Sequence, residues 1–386
     1  MLTRCHSRRL SGRAPASALL CFSLLSAVAL AAPQDPNRQN PNRDATPGAN
    51  KGNLEQRIDQ LVQDKVRELN VPGYSLAVIH RGKSVLQKGY GFADKEAGTP
   101  VTPQTVFGLA SITKTFTALA LLMLIDEGKV SLDDTLNKYF TDLSPAYQRI
   151  TIRQLATMSA GVPVKAIGDR EGLGWQEEFR NVQSRPLDFQ PGAKYEYSNL
   201  SYRILGGVIE KASGKSYMDF LKERVLDPLG MMQTLPTDQT FAQPIAVPYN
   251  EKGKPLGGYK PPVSNFAAGM LASNTVDMVK YGRALLQQRF LSPTGYRHLW
   301  KLRQELPDEE KGGKPSHWAF GWGSTDRNGH FQVGMNGGLP GVASTILILP
   351  DDRLIVIGLA NSESEGHKIA PLVAKEVLGI EVGETE

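Results

Sequence analysis

Ser111-Ile112-Thr113-Lys114 sets a hydroxyl and an amine three residues apart, and it is the only Ser-x-x-Lys in the chain. On a helix that spacing puts both side chains on one face, within reach of each other. A helix N-terminus adds partial positive charge beside the serine oxygen. A lysine withdrawn from water there is pushed toward its neutral form, because burial disfavours the charged state. A neutral amine beside a hydroxyl is a general base beside a nucleophile, which is the chemistry of acyl transfer through a covalent intermediate.

Two further segments carry groups that such chemistry uses. Tyr197-Ser198-Asn199 follows the Pro191-Gly192 turn signal and opens another helical stretch. A tyrosine with cationic neighbours shuttles protons, and an asparagine amide donates to a substrate carbonyl and accepts from Lys114. Alone, the triplet reads equally as a packed tyrosine before a helix-capping asparagine. Gly334-Met335-Asn336-Gly337-Gly338-Leu339-Pro340-Gly341 ends a late strand. Its glycines let a ligand approach the backbone, and the Gly338 amide pairs naturally with that of Ser111 as an oxyanion hole. Alone, this segment is a glycine-rich turn. Trp318, Trp322 and Tyr195 are candidates for an aromatic cleft wall or for core.

Other chemistries lack their signatures. There is no Gly-x-Ser-x-Gly elbow, His-Glu-x-x-His pair, phosphate loop or dinucleotide glycine fingerprint. His80, His298, His317, His330 and His367 show no metal-ligand spacing. No metal or other cofactor is expected.

In this order the three segments resemble the serine β-lactamase and penicillin-binding family, closest to the class C β-lactamases and their esterase and DD-peptidase relatives. The resemblance covers about residues 54–380. It extends to Glu127-Gly128-Lys129-Val130-Ser131-Leu132-Asp133-Asp134, to the run from Ile152 to Gly161, to Phe320-Gly321-Trp322-Gly323 and to Leu359-Ala360-Asn361. It implies that Ser111 is the acylated nucleophile, that Lys114 and Tyr197 move protons, that Asn199 orients substrate, and that Ser111 and Gly338 supply oxyanion amides. One position departs: the family usually carries Lys or His, then any residue, then Gly in the third segment, and here Met335 precedes Asn336 and Gly337. Lys311-Gly312-Gly313 has the right letters but precedes the Gly-Trp-Gly segment, the wrong place in the chain. A thioether neither carries charge nor donates a hydrogen bond. Substrates that depend on a bound carboxylate, β-lactams and D-Ala-D-Ala peptides among them, become poorer candidates than neutral esters or amides.

The elements that must position these groups follow from hydrophobic period. Leu54, Ile58, Leu61, Val62, Val66 and Leu69 recur at helical spacing behind Asn53 as N-cap. Gly73 to His80 and Ser84 to Phe92 flank Arg81-Gly82-Lys83 as a hairpin. Thr113 to Glu127 is apolar nearly all round and stops at Gly128, the pattern of a helix buried at the centre of a domain. Helical patterns follow at 151–158, 199–212, 216–226 and 274–287. Strands return at Phe331 to Met335, Val342 to Leu349 and Leu354 to Ala360, and a closing helix runs from Lys368 to Leu378. Strands at both chain ends with helices between predict an α+β fold: one antiparallel sheet built from N- and C-terminal strands, flanked by helices, with a mostly helical middle lobe and a cleft between.

The 386 residues carry a formal charge of +5, but the first 31 hold Arg4, Arg8, Arg9 and Arg13 and no acid. Without them 40 basic residues face 39 acidic ones, so a basic body steering toward nucleic acid is excluded. Those 31 residues read as a signal peptide: a basic start, an apolar stretch from Ala16 to Leu30, and Ala29-Leu30-Ala31 as a cleavage site. The stretch is short for a membrane span, an N-terminal anchor being the alternative. Residues 32–53, rich in Pro, Asn, Gln and Asp, read as a flexible linker to one hydrolase domain at 54–386. Both cysteines, Cys5 and Cys21, lie in the leader, which leaves the mature chain no disulfide or thiolate site. The expectation is a periplasmic or secreted serine hydrolase, acting on a small molecule or peptide without a stable membrane span. The alternatives are a true β-lactamase or D-alanyl-D-alanine carboxypeptidase, and a catalytically weak penicillin-recognising or cell-wall-binding protein. Oligomeric state is not legible.

Overall fold

The computed structural model describes residues 51–163, 174–243, 245–257, 263–302, 304–305, 317–327, 329–363 and 365–383. The predicted leader with Cys5 and Cys21, the linker as far as residue 50, and Lys311-Gly312-Gly313 lie outside the described residues.

The helices are α1 (Lys51–Glu68), α2 (Thr113–Asp126), α3 (Pro145–Gln148), α4 (Ile152–Ala156), α5 (Trp175–Val182), α6 (Asn199–Ser213), α7 (Tyr217–Leu221), α8 (Asp227–Leu229), α9 (Thr275–Leu286), α10 (Pro293–Lys301) and α11 (Ile369–Leu378). The strands are β1 (Gly73–His80), β2 (Lys83–Asp94), β3 (Thr99–Pro100), β4 (Phe107–Gly108), β5 (Leu235–Pro236), β6 (Leu271–Ser273), β7 (Gln304–Glu305), β8 (His317–Trp318), β9 (Gly323–Arg327), β10 (His330–Leu339), β11 (Val342–Leu349) and β12 (Leu354–Ala360). Among the described residues, nine strands form one antiparallel sheet in the order β3-β2-β1-β12-β11-β10-β9-β8-β7, and β4, β6 and β5 form a small second one.

The β1–β2 hairpin turns on Arg81 and Gly82 alone, with His80 opposite Lys83. Both turn residues have positive φ, 51° and 79°, the two-residue geometry whose twist matches the flanking strands. β1 then pairs along its length with β12, from Tyr74 opposite Ala360 to His80 opposite Leu354. The predicted union of chain ends is thus direct hydrogen bonding between the first and last long strands.

Side chains alternate across the sheet. Leu76, Val78, Leu347, Val356 and Leu354 face one way and pack with Ile58 and Val62 of α1 and Ile369 and Val373 of α11. Ala77, Ile79, Ile346, Ile348, Ile355 and Ile357 face the other way, into the larger core that contains α2. Burial on both faces explains why β11 and β12 read as nearly unbroken apolar runs. Every residue of α2 from Thr113 to Leu124 is buried, as its all-round apolar pattern predicts. Each large apolar side chain so buried contributes about 1.5–3 kcal/mol.

Three local expectations are corrected. α1 begins at Lys51, so Asn53 lies within the helix instead of capping it. The stretch 216–226 is not one α-helix: α7 gives way to a π turn at Lys222–Leu226. Most consequentially, the strand expected to end at Met335 does not end there, and the glycine-rich turn offered as the alternative for the third segment is not formed. β10 continues through Leu339, with Gly337 opposite Ser344 and Gly338 opposite Ala343.

Candidate active site

Chain direction changes sharply where β4 hands over to α2. Leu109 N–H donates to Leu271 O (2.8 Å), and Ala110 takes a positive φ of 45°. That left-handed conformation is costly for a residue with a Cβ and persists where surroundings over-determine it. Here they do: Ser344 Oγ donates to the Leu109 carbonyl (2.7 Å). A Cβ on Gly337 would sit 2.1 Å from that same carbonyl oxygen and 3.1 Å from Ala110 Cβ. Gly337 is therefore glycine because β10 runs against the turn that carries the nucleophile. Its neighbour Gly338 is exposed and faces open space, so strand and turn meet beside a free backbone edge.

Ser111 sits in the single turn Ala110–Ile112 that leads into α2 and is half-buried. Lys114, one helical turn on, is 0% exposed. Its Nζ donates to Ser111 Oγ (3.0 Å) and to the Ala268 carbonyl (2.8 Å). Burial first, and the nearby Arg203 guanidinium second, hold this amine well below the usual lysine range. Tyr197 O–H donates to the same Ser111 oxygen (2.9 Å), and Lys114 Nζ lies 4.9 Å from the Tyr197 ring centroid. The three side chains thus meet at one oxygen. Hydrogens reverse along these vectors without heavy-atom movement, so Ser111 can hand its proton to the amine.

Tyr197 is fixed from behind. Trp318 stands edge-on to it at 5.5 Å and 86°, itself anchored by Nε1–H donating to Ala156 O (3.0 Å). Met158, in a left-handed conformation (φ 56°), accepts from Glu196 N–H at its carbonyl and from Ser198 N–H at its sulfur. Trp318, Trp322 and Tyr195 are buried, core supports instead of a cleft surface.

The remaining predicted residues divide. The cap of α6 is Ser198, whose Oγ accepts from Ser201 N–H (3.2 Å). Asn199 is exposed and makes no hydrogen bond to Lys114, whose acceptor is Ala268 O instead. Met335 lies on the α2 face of the sheet opposite Ile346 but is 1% exposed, packed in the core. Asn336 points the other way: its Oδ1 accepts from Thr345 Oγ1 (2.9 Å), and Thr345 also donates to His367 O. The geometry gathers Ser111, Lys114, Tyr197, Gly337 and Gly338, and leaves Asn336 on the far face.

Three contributors are not among the predicted site residues, although Gly321 lies in the Phe320-Gly321-Trp322-Gly323 segment of the resemblance. The Ala268 carbonyl is found only by folding. Gly321, with φ 71°, must lack a Cβ because one would lie 2.6 Å from the Lys114 carbonyl oxygen. Arg203, inside the apolar run Tyr202-Arg203-Ile204-Leu205, is 5% exposed, and a charged residue in such a run is the signal that would have found it. Among the described residues no group of three or more His, Cys, Asp or Glu side chains is placed to hold a metal ion, and no helix is long and apolar enough to cross a membrane.

Comparison with known proteins agrees with this geometry. The Beta-lactamase family model matches residues 58–378. The unguisins hydrolase ungD' of Aspergillus campestris (strain IBT 28561) is 31% identical over 333 residues, covering 80% of this chain and 62% of that protein. The chain spans less than two thirds of the length of the curated relatives it matches. Among solved structures, the octameric penicillin-binding protein homologue from Pyrococcus abyssi aligns with a TM-score of 0.72 and 27% identity, over 84% of this chain and 77% of that one. The D-amino acid amidase from Ochrobactrum anthropi SV3, complexed with D-phenylalanine, aligns with a TM-score of 0.74 and 25% identity, over 85% and 99%. The α+β architecture is therefore the β-lactamase/transpeptidase-like fold, and a chain that brings serine, lysine and tyrosine to one oxygen on it belongs to the Beta-lactamase family.

Proposed function

We propose that this chain is an exported serine hydrolase that cleaves an ester or amide through an acyl-enzyme on Ser111. The observation that carries the reading is the convergence of Lys114 Nζ (3.0 Å) and Tyr197 O–H (2.9 Å) on Ser111 Oγ, with the lysine wholly buried. Ser111 Oγ attacks the substrate carbonyl carbon as its proton passes to the Lys114 amine. The carbonyl oxygen takes up the electron pair against the Ser111 and Gly338 amides. The bond to the leaving group then breaks, and that group departs with a proton relayed through Lys114 and Tyr197. Water adds to the acyl-enzyme, gives a proton back to the same pair, and releases the acid and Ser111.

Met335 bears on substrate choice through the charge it does not supply, its own side chain being packed in the core. Without Lys or His there, no charge-assisted bond worth about 1.5–3 kcal/mol holds a substrate carboxylate, which favours neutral esters and amides. The amidase likeness adds amides of apolar D-amino acids to the candidates. Family membership keeps a second reading in play, a true β-lactamase or D-alanyl-D-alanine carboxypeptidase; a catalytically weak penicillin-recognising protein is the third. Turnover of p-nitrophenyl esters, D-phenylalanine amide and nitrocefin by the purified protein separates them: ester or amide turnover without nitrocefin turnover supports the proposal, the reverse selects the second reading, and acylation without turnover the third. Export rests on Ala29-Leu30-Ala31, and an N-terminus at Ala32 in protein from an exporting host tests it.

A further inference from the structure

We propose that Arg203, bridging Glu178 and Asn265 inside the helical lobe, is a positioning residue that fixes the Ala268 carbonyl for Lys114 and sets a permanent positive charge behind that amine. The proposal rests on the reading of Ser111 and Lys114 as the reacting pair. Arg203 lies on α6, six residues after Tyr197. One guanidinium nitrogen donates to the Glu178 carboxylate of α5, and the other donates to Asn265 Oδ1 (2.9 Å). All three residues are buried. Three residues beyond Asn265 is Ala268, whose carbonyl accepts the Lys114 Nζ hydrogen bond.

The segment between them does not hold itself. Phe266 takes φ 43° and ψ −135°, outside any helical range, a conformation that persists only under external restraint. Thr117 Oγ1 donates to Ala267 O (2.6 Å). Trp175 stacks on Phe266 at 5.6 Å and 7°. Gly206 of α6 has no Cβ, and one would collide with Ala267 Cβ and the Phe266 ring at 2.5 Å. Arg203 closes this clamp from the same helix and reaches the strained segment at Asn265.

Stability alone does not explain the choice. A buried ion pair costs several kcal/mol of desolvation per ion, and apolar residues of similar volume often serve the fold as well. Arginine differs from other cations in staying charged when buried, so it acts as a constant field and not as a second titrating base. The titratable and charged groups that act on Lys114 are few: Tyr197 ahead of α6, Arg203 on α6, and Glu178 on α5 through Arg203. No described carboxylate hydrogen-bonds to Lys114. Burial first, and the Arg203 charge second, both push this amine toward its neutral form.

The test is the pH profile of kcat/KM on a neutral p-nitrophenyl ester. Arg203→Met alone strands the Glu178 charge, so the double variant Arg203→Met with Glu178→Met is measured too, with folding followed by circular dichroism. The acid limb should move to higher pH by at least about half a unit, a threefold change in the neutral fraction of the amine. Arg203→Lys, whose amine can lose its charge on burial, should move the limb the same way as Arg203→Met but by less. Asn265→Ala, which removes an acceptor of the guanidinium but no charge, should lower kcat without moving the limb. A folded double variant with the wild-type limb, or Asn265→Ala with wild-type kcat, overturns the proposal. Failure of the underlying reading looks different: a fluorophosphonate label that persists in Ser111→Ala removes the reacting pair itself, whatever Arg203 does.

Discussion

The two faces of the large sheet are built to different rules. Against α1 and α11 the contact is mainly apolar: Ile58, Val62, Leu76, Leu347, Val356 and Val373 fill it, while Asp59 of α1 accepts from Lys88 and Tyr90 of β2. Against α2, equally dry, the structure buries Thr113, Lys114, Thr115 and Thr117. A polar group out of water costs free energy unless it is paired. Here the donors find partners: Thr115 Oγ1 on Ile112 O, Thr117 Oγ1 on Ala267 O, Lys114 Nζ on Ala268 O. The first face holds the sheet together; the second spends packing opportunity on placing an amine.

That contrast is open to direct attack. On the polar face, Ser111→Ala should abolish covalent labelling and lower kcat at least about 10⁴-fold, as when an acyl-enzyme nucleophile is removed; a smaller loss would move the reaction to another residue. Lys114→Met and Tyr197→Phe should each cost about 10²–10⁴-fold in kcat, and near-wild-type turnover in Tyr197→Phe would make that tyrosine a packing residue. On the apolar face the same size of edit should be felt only in stability: Leu347→Ala should cost about 2–5 kcal/mol by denaturant titration with kcat unchanged. A fall in kcat there would dissolve the division between the faces.

Acidity sharpens the contrast further. Because Lys114 has a lowered pKa in the folded protein, the unfolded chain binds the extra proton between that value and the ordinary lysine range. Stability then rises with pH through this window, by up to about 1.4 kcal/mol per pH unit. It is fully present only above the unfolded pKa and declines as pH falls toward the folded one. The stability of wild type relative to Lys114→Met should therefore grow between pH 7 and pH 10, and a flat difference would mean that the amine is charged in the fold. The smallest effect belongs to Met335→His, expected to raise kcat/KM on carboxylate-bearing nitrocefin relative to a neutral ester by no more than about tenfold to a hundredfold. No change would fit the burial of that position and detach substrate preference from it.

Periodicity made the scaffold legible because burial is what periodicity records. α2, apolar all round, is buried all round, and the Arg81-Gly82 turn is where the hairpin signal placed it. Ser111, Lys114 and Tyr197 were legible because their chemistry is local in sequence or carried by a motif. The Ala268 carbonyl has no side-chain identity to read. Asn336 failed as a neighbour of Ser111 for a reason of pleat: adjacent strand residues point to opposite faces, and ending the strand at Met335 hid that alternation. The end of β10 was misplaced because glycines mark turns more often than strands, and here Gly337 is demanded by a carbonyl 2.1 Å from where its Cβ would be.

The pairing of β1 with β12 also governs when the site comes into being. Tyr74 meets Ala360, and His80 meets Leu354, across nearly the whole domain. Closing so long a chain segment carries an entropic cost that no local contact offsets in advance, and topologies dominated by such pairings fold slowly. While the chain is growing, β1 and β2 have only α1 to pack against and lack the strand β12 that completes their sheet, a combination of marginal stability in water. Ser111 and Lys114 are made early, yet β10 and β11, which press the nucleophile turn into shape through Gly337 and Ser344, arrive more than two hundred residues later. An incomplete chain therefore carries the reactive letters without the reactive geometry, and hydrolytic competence appears only once the final strands have docked.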